Sequence, residues 1–200
     1  MKKIDINKIY DALKQKCPKK FQKKKKKRSW NAKTLSGITD LTHSEAIRFG
    51  FAMESLLQEM GEYCDKIKVV GLENILSEGV IDSFAKEKKQ IDILLHHTED
   101  NRYVYLEAKL NCEMDSEKFP HVISKIKRVA EAIEKQYKSR CVGKILTPWY
   151  RYEKGMPHQY SSDEIVYAQE YLKLLGFDYT EKEWYATIRK YSMKWLADIR

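Results

Sequence analysis

The apolar positions of this chain recur with helical spacing in some stretches and strand-like spacing in others. Ile6, Ile9, Tyr10 and Leu13 repeat at helical intervals and Pro18 follows, so a short amphipathic helix is expected to end near Lys16. Thr42 stands three residues before Glu45, the spacing of a capping box. It opens a predicted helix from about His43 to Tyr63, with Ala46, Phe49, Met53, Leu56, Leu57 and Met60 as its buried stripe. On that helix Glu54 falls at the edge of the stripe, beside Gly50 and Leu57, and Glu59 is expected to point to solvent. Ile67, Val69 and Val70 form a candidate strand, and a looser apolar segment runs through Val80, Ile81 and Phe84. Gln90 to His96 and Tyr103 to Leu110 read as two strands joined by a polar turn at Glu99 to Arg102, an antiparallel hairpin. Pro120 then opens a helix to about Tyr137, with Val122, Ile126, Val129, Ala130 and Ile133 inward and Lys125, Lys127 and Arg128 outward. Cys141 to Leu146 predicts one more strand. Two helices close the chain: Asp163 to Leu175, stopped by Gly176, and Glu181 to Ile199, opened by a second capping box in Thr180 and Glu183. With no internal repeat and no long linker, the order predicts one α/β domain with a mixed central sheet flanked by helices.

At 200 residues such a domain can bury roughly 70% of the surface its unfolded chain exposes. Charge changes the picture more than size. The 38 basic and 29 acidic residues give a net +9, but residues 1–33 alone carry +12 and the rest of the chain −3. The basic character is an N-terminal arm whose densest part is Lys23, Lys24, Lys25, Lys26, Lys27 and Arg28. Like charges in a block repel, so this run is either a solvated tail or a contact for nucleic-acid phosphate. Cys17, Cys64, Cys112 and Cys141 form no CxxC pair, which predicts reduced thiols and a cytoplasmic setting. No histidine falls at zinc-ligand spacing with a cysteine pair, and no apolar run approaches the ~18 residues that span a bilayer. The absence of a Gly-rich phosphate loop argues against a nucleotide-driven motor or a kinase.

The chemistry-bearing residues gather on the hairpin. Glu107 and Lys109 are two apart, so the strand period aims both at one face, and Asp92 begins the partner strand. Carboxylates on two paired strands can converge on one divalent ion, with a lysine approaching the same point. That is what phosphodiester hydrolysis requires: a metal to polarise the phosphoryl oxygen and acidify a water, and a cation to orient that water. An acid and a lysine two apart arise about four times by chance in so lysine-rich a chain, Glu87 and Lys89 being one instance, and an exposed ion pair on an edge strand is the plain alternative. Strand context, Asp92, Glu54 and the basic helix that follows set Glu107 and Lys109 apart. His96 and His97 face opposite ways on their strand and read as structural or solvated. Trp149, Tyr150, Arg151 and Tyr152 form an aromatic and basic cluster that either stacks on bases or belongs to a core or interface.

These pieces resemble the PD-(D/E)xK nuclease superfamily, which includes most type II restriction endonucleases. The matching segments are a helix bearing Glu54 (GFAMESLL), a strand bearing Asp92 (QIDILL), a strand bearing Glu107 and Lys109 (YLEAKLN), then a helix and a strand, over about residues 43–147. Ile91 stands where the motif has proline, a position that supplies no ligand. The resemblance implies a restriction-endonuclease-like core in which Asp92 and Glu107 hold Mg²⁺, Lys109 positions the attacking water and Glu54 assists the metal or its water shell. Asn111 is either a further support of the site or a solvated turn residue. The implied activity is a type II restriction enzyme of a restriction-modification system, cutting double-stranded DNA at a short site as a homodimer, with 5′-phosphate and 3′-hydroxyl ends. On this reading 1–33 is the basic arm, 160–200 the C-terminal helices and prospective dimer surface, and Lys125 and Arg128 join Lys23 to Arg28 as DNA contacts. Two alternatives stay open: another nuclease of this fold, such as a resolvase, a repair enzyme or a transposon end-cleaving subunit, and a non-catalytic DNA-binding protein.

Overall fold

The computed structural model describes Lys3 and residues 5–16, 35–70, 91–110, 118–150 and 162–200. The Lys23 to Arg28 run, the segment through Val80 to Phe84, the Glu87 and Lys89 pair, Asn111, Arg151 and Tyr152 lie outside the described residues.

Helix α1 (Ile6–Lys16) buries Ile6, Ile9, Tyr10 and Leu13, the residues whose spacing predicts it. Helix α2 (His43–Gly61) begins at the expected capping box: the Glu45 N–H donates to Thr42 Oγ1 and the Thr42 N–H to Glu45 Oε2. Its apolar stripe is buried throughout. Glu59 departs from expectation, being buried at 6% exposure rather than turned to solvent. Helix α1 packs across that side of α2, and Lys16 Nζ donates to both Glu59 oxygens at 2.7 and 3.0 Å. The periodicity of one helix cannot register a second helix laid across its polar side.

Strands β1 (Ile67–Val69), β2 (Ile93–His97), β3 (Arg102–Ala108), β4 (Cys141–Leu146) and β5 (Ile165–Val166) form one sheet in chain order. The first two pairings are antiparallel and the last two parallel, which makes the sheet mixed and open. The hairpin register sets Ile93 against Leu106 and His97 against Arg102, and Asn101 closes the turn at φ +49°, a conformation asparagine tolerates. Helix α3 (Lys118–Tyr137) carries the chain from β3 to β4, with Pro120 in its first turn, where an amide hydrogen would have no helical partner.

The closing segment is shorter in helix than the Asp163 to Leu175 expected. A 3₁₀ turn at Ser162–Glu164 leads into β5, and α4 covers only Ala168–Leu174. Ile165 and Val166 are β-branched and pair with Ile145 and Leu146, and Glu170 accepts the Tyr167 N–H to restart the helix. Gly176, at φ +77°, ends α4: its N–H reaches the Lys173 carbonyl and the Phe177 N–H that of Leu172. Helix α5 (Glu181–Ile199) starts at the predicted Thr180 and Glu183 box.

Side chains alternate across the sheet into two cores. One lies under α1, α2, α4 and α5 and includes Ile93, Leu95, Leu106 and Leu146, with Phe49 against Trp195 at 5.6 Å. The other lies under α3 and holds Leu94, Tyr103, Tyr105 and Ile145 together with Ile126, Val129, Ala130 and Ile133. The apolar stripe of α5, proposed as a dimer surface, is spent in the first core, where Tyr191 Oη donates to the Ala52 carbonyl. No helix among the described residues is long and apolar enough to cross a membrane.

Candidate active site

The site forms where β2 begins and β3 ends. Asp92 sits one residue before β2, in a bend rather than at the strand's first position, and its Oδ2 accepts the Ala108 N–H at 2.9 Å. The side chain thus continues the hairpin ladder past Ile93 and Leu106 and pins the two chain segments together. Beyond Ala108, the Lys109 N–H still donates to the Leu146 carbonyl at 2.8 Å, so Lys109 is held by β4 although its strand has formally ended.

Glu107 shares the face of Tyr103 and Tyr105, toward α3, and is 4% exposed. Lys109 Nζ donates to its Oε1 at 2.7 Å, which bears out the common face expected from their spacing. Lys125 Nζ donates to Oε2 at 2.6 Å and the Tyr105 hydroxyl to the same oxygen at 2.5 Å. Burial alone would push the Glu107 carboxyl up; the lysine charges and these hydrogen bonds outweigh it and hold the group below its ordinary range. Asp92 goes the other way. Burial and then the Glu107 charge push its carboxyl up, against Lys109, Lys125 and the Ala108 amide.

Asp92 and Lys109 also line a cleft of about 250 Å³ that opens on the opposite side toward α2. Glu54 stands on its far wall, with Gly50, Leu57, Leu110 and Pro148, and the exposed Ile47 and Phe51 form its lip. The structure therefore brings Glu54, Asp92 and Lys109 to one cleft, and Glu107 to Lys109. The three carboxylates are not gathered tightly: among the described residues no group of three or more His, Cys, Asp or Glu side chains is placed to hold a metal ion.

Two members of this arrangement were not read from the sequence. The helical spacing places Lys125 on the outer surface of α3, yet it turns inward to Glu107. Its signal was available, because Lys125 follows Val122 by three and precedes Val129 by four, at the margin of the inner stripe. Tyr105 carries no signal beyond that of a strand residue, although its parity with Glu107 places both on one face. Arg128 lines a separate groove with Phe119, Ile123, Lys127 and Glu164. Trp149 and Tyr150 are tied into the protein, Trp149 Nε1 to the Leu110 carbonyl at 2.7 Å and Tyr150 Oη to that of Tyr179 at 2.8 Å, which agrees with the core alternative. His96 stacks on Tyr103 at 4.5 Å and shares a hydrogen with Asn101, a structural role.

No protein family, curated protein or solved structure matches this chain. What the fold and site define is a mixed-sheet α/β protein with two unlike carboxylates and a lysine at the end of a hairpin.

Proposed function

We propose that this protein is a Mg²⁺-dependent DNA endonuclease with a PD-(D/E)xK-type site and a restriction-endonuclease-like core, acting as a type II restriction enzyme. The observation that carries the reading is Lys109: its ammonium touches Glu107 at 2.7 Å, and the residue lines the cleft shared by Asp92 and Glu54. A lysine so placed faces both a prospective ligand and the space a phosphodiester would fill.

The donor set fits a hard divalent ion. Asp92 and Glu107 offer carboxylate oxygens, the hard donors that such an ion takes. Asp92 and Glu107 would hold Mg²⁺, with Glu54 supporting from across the cleft. When bound, the ion supplies Lewis acidity toward a phosphoryl oxygen and lowers the pKa of a water. Lys109 orients that water through an N–H donor and offsets the negative charge that develops on the phosphoryl group. Tyr105 fixes the Glu107 carboxylate from the strand it shares. A type II enzyme with one site per chain would work as a homodimer on a palindromic duplex.

The test is incubation of the protein with varied plasmid DNA in Mg²⁺, read as a banding pattern. Discrete bands that vanish in Asp92→Ala and Glu107→Ala are expected. Intact plasmid, or cleavage that both variants retain, would overturn the assignment.

A further inference from the structure

Glu107 has two ammonium groups for one carboxylate. Both its oxygens are engaged, Oε1 by Lys109 and Oε2 by Lys125 and Tyr105, in a position almost closed to water. The four charged groups Asp92, Glu107, Lys109 and Lys125 sum to zero, so the site is electrically complete with no ion in it. Adding a divalent cation to this neutral cluster, whose Glu107 is buried while its lysine side chains are partly exposed, leaves two positive charges that water screens only in part.

The two lysines are not equivalent. Lys109 belongs to the strand end beside Glu107, where its own amide is bonded to β4. Lys125 arrives from a different element, at the end of a long flexible stem from α3, and its contact with the site is the Oε2 oxygen it shares with Tyr105. An ammonium hydrogen and a metal ion compete for the same carboxylate lone pairs. Both ammonium groups sit on flexible stems, but only Lys125 reaches the site from another element.

We infer that Lys125 is a resident counter-ion of Glu107 that competes with the divalent cation, so that the metal enters together with the anionic substrate. The inference rests on the nuclease reading. Lys125 is thereby a positioning residue: it acts on Glu107, and the anionic backbone of a substrate in the neighbouring cleft offsets the charge that the cation adds. Metal and DNA then bind cooperatively, and each raises the affinity of the other by the same factor.

The experiment is calorimetric titration of Ca²⁺, which should bind without supporting cleavage, into the full chain with and without a mixed-sequence duplex. Without DNA, Lys125→Gln should bind Ca²⁺ at least about ten-fold more tightly than wild type, the effect of removing one like charge a few ångströms from an ion. Lys125→Arg, which keeps the charge, should bind as weakly as wild type, and the duplex should narrow the gap between wild type and Lys125→Gln. Melting temperatures on the same samples give a second reading, since Ca²⁺ should raise the midpoint of Lys125→Gln by more than that of wild type. Lys125→Met repeats the test with the stem retained, and Ca²⁺ should restore folding to either variant if it is lost. Unchanged or weaker Ca²⁺ binding in Lys125→Gln, or a folding defect that Ca²⁺ does not rescue, would overturn the inference and leave the nuclease reading standing. Ca²⁺ binding that persists in Glu107→Gln, or is absent from wild type with and without DNA, would overturn the metal site itself.

Discussion

Asp92 and Glu107 bear the same charge at one strand end, and the protein holds their carboxyls in opposite directions. For Asp92 the raised value means that the folded chain keeps a proton the unfolded chain has released. Stability therefore falls as pH rises from the ordinary Asp value of 3.8 through the folded one. Glu107, held low, contributes stability above its ordinary 4.5 that is lost as pH drops through its folded value. Asp92→Asn can still accept the Ala108 N–H and removes the penalty. It should melt higher than wild type at neutral pH, with the difference fading below about pH 4; a melting series across pH checks both the sign and the window. Lys109→Ala should bind duplex yet cut at least about 10²-fold more slowly, because its charge acts mainly in the transition state. Single-turnover cleavage measures this, and normal speed would remove Lys109 from the reaction. At this scale Asp92, Glu107 and Lys109 were legible because strand parity is a local rule. Lys125 was not, since its partner lies 18 residues away and only packing of α3 on the sheet aims it inward.

That packing depends on an element contact with almost no slack. Gly143 in β4 lies under α3, and a β-carbon built there would come within 2.5 Å of Ile126 Cγ2 and 3.0 Å of the Ile126 carbonyl. The second neighbour is backbone, so the helix itself would have to lift. Gly143→Ala should cost about 1–3 kcal/mol, the usual range for overpacking, as read by urea denaturation. Because Ile126 adjoins Lys125, the same lift should loosen Lys125 from Glu107. A neutral effect on stability would show that α3 rides less closely on β4 than its glycine suggests. Both capping boxes were readable, being short-range hydrogen-bond patterns written within four residues. Strand β5 was not, because Ile165 and Val166 become a strand only by pairing with β4, and in isolation they extend the pattern of the following helix.

Over the whole molecule the charge is lopsided, with the basic excess confined to residues 1–33. Six adjacent cations from Lys23 to Arg28 can each neutralise a phosphate if the run tracks a DNA backbone, at about 0.9 in the slope of log affinity against log salt for each. Deleting residues 19–28 should flatten that slope by several units and weaken cognate and random duplex alike, since phosphate contacts carry no base information. Binding constants over a salt series decide it: an unchanged slope assigns the run to solvent.

The two cores have a consequence for how function is lost on heating. A sheet with unequal layers on its faces need not open all at once, and the layer held by a single helix is the one to open first. Among the described residues α3 is the one helix on its face, whereas α1, α2, α4 and α5 support one another on the other. Hydrogen–deuterium exchange should therefore find α3 amides exposed through a partial opening of lower free energy than the one that releases α2 and α5. Exchange of α3 in step with α5 would mean that the layers are a single cooperative unit. If they are separate, Glu107 loses its cover while most of the secondary structure persists, and cleavage should fail at a temperature below the far-UV circular dichroism midpoint.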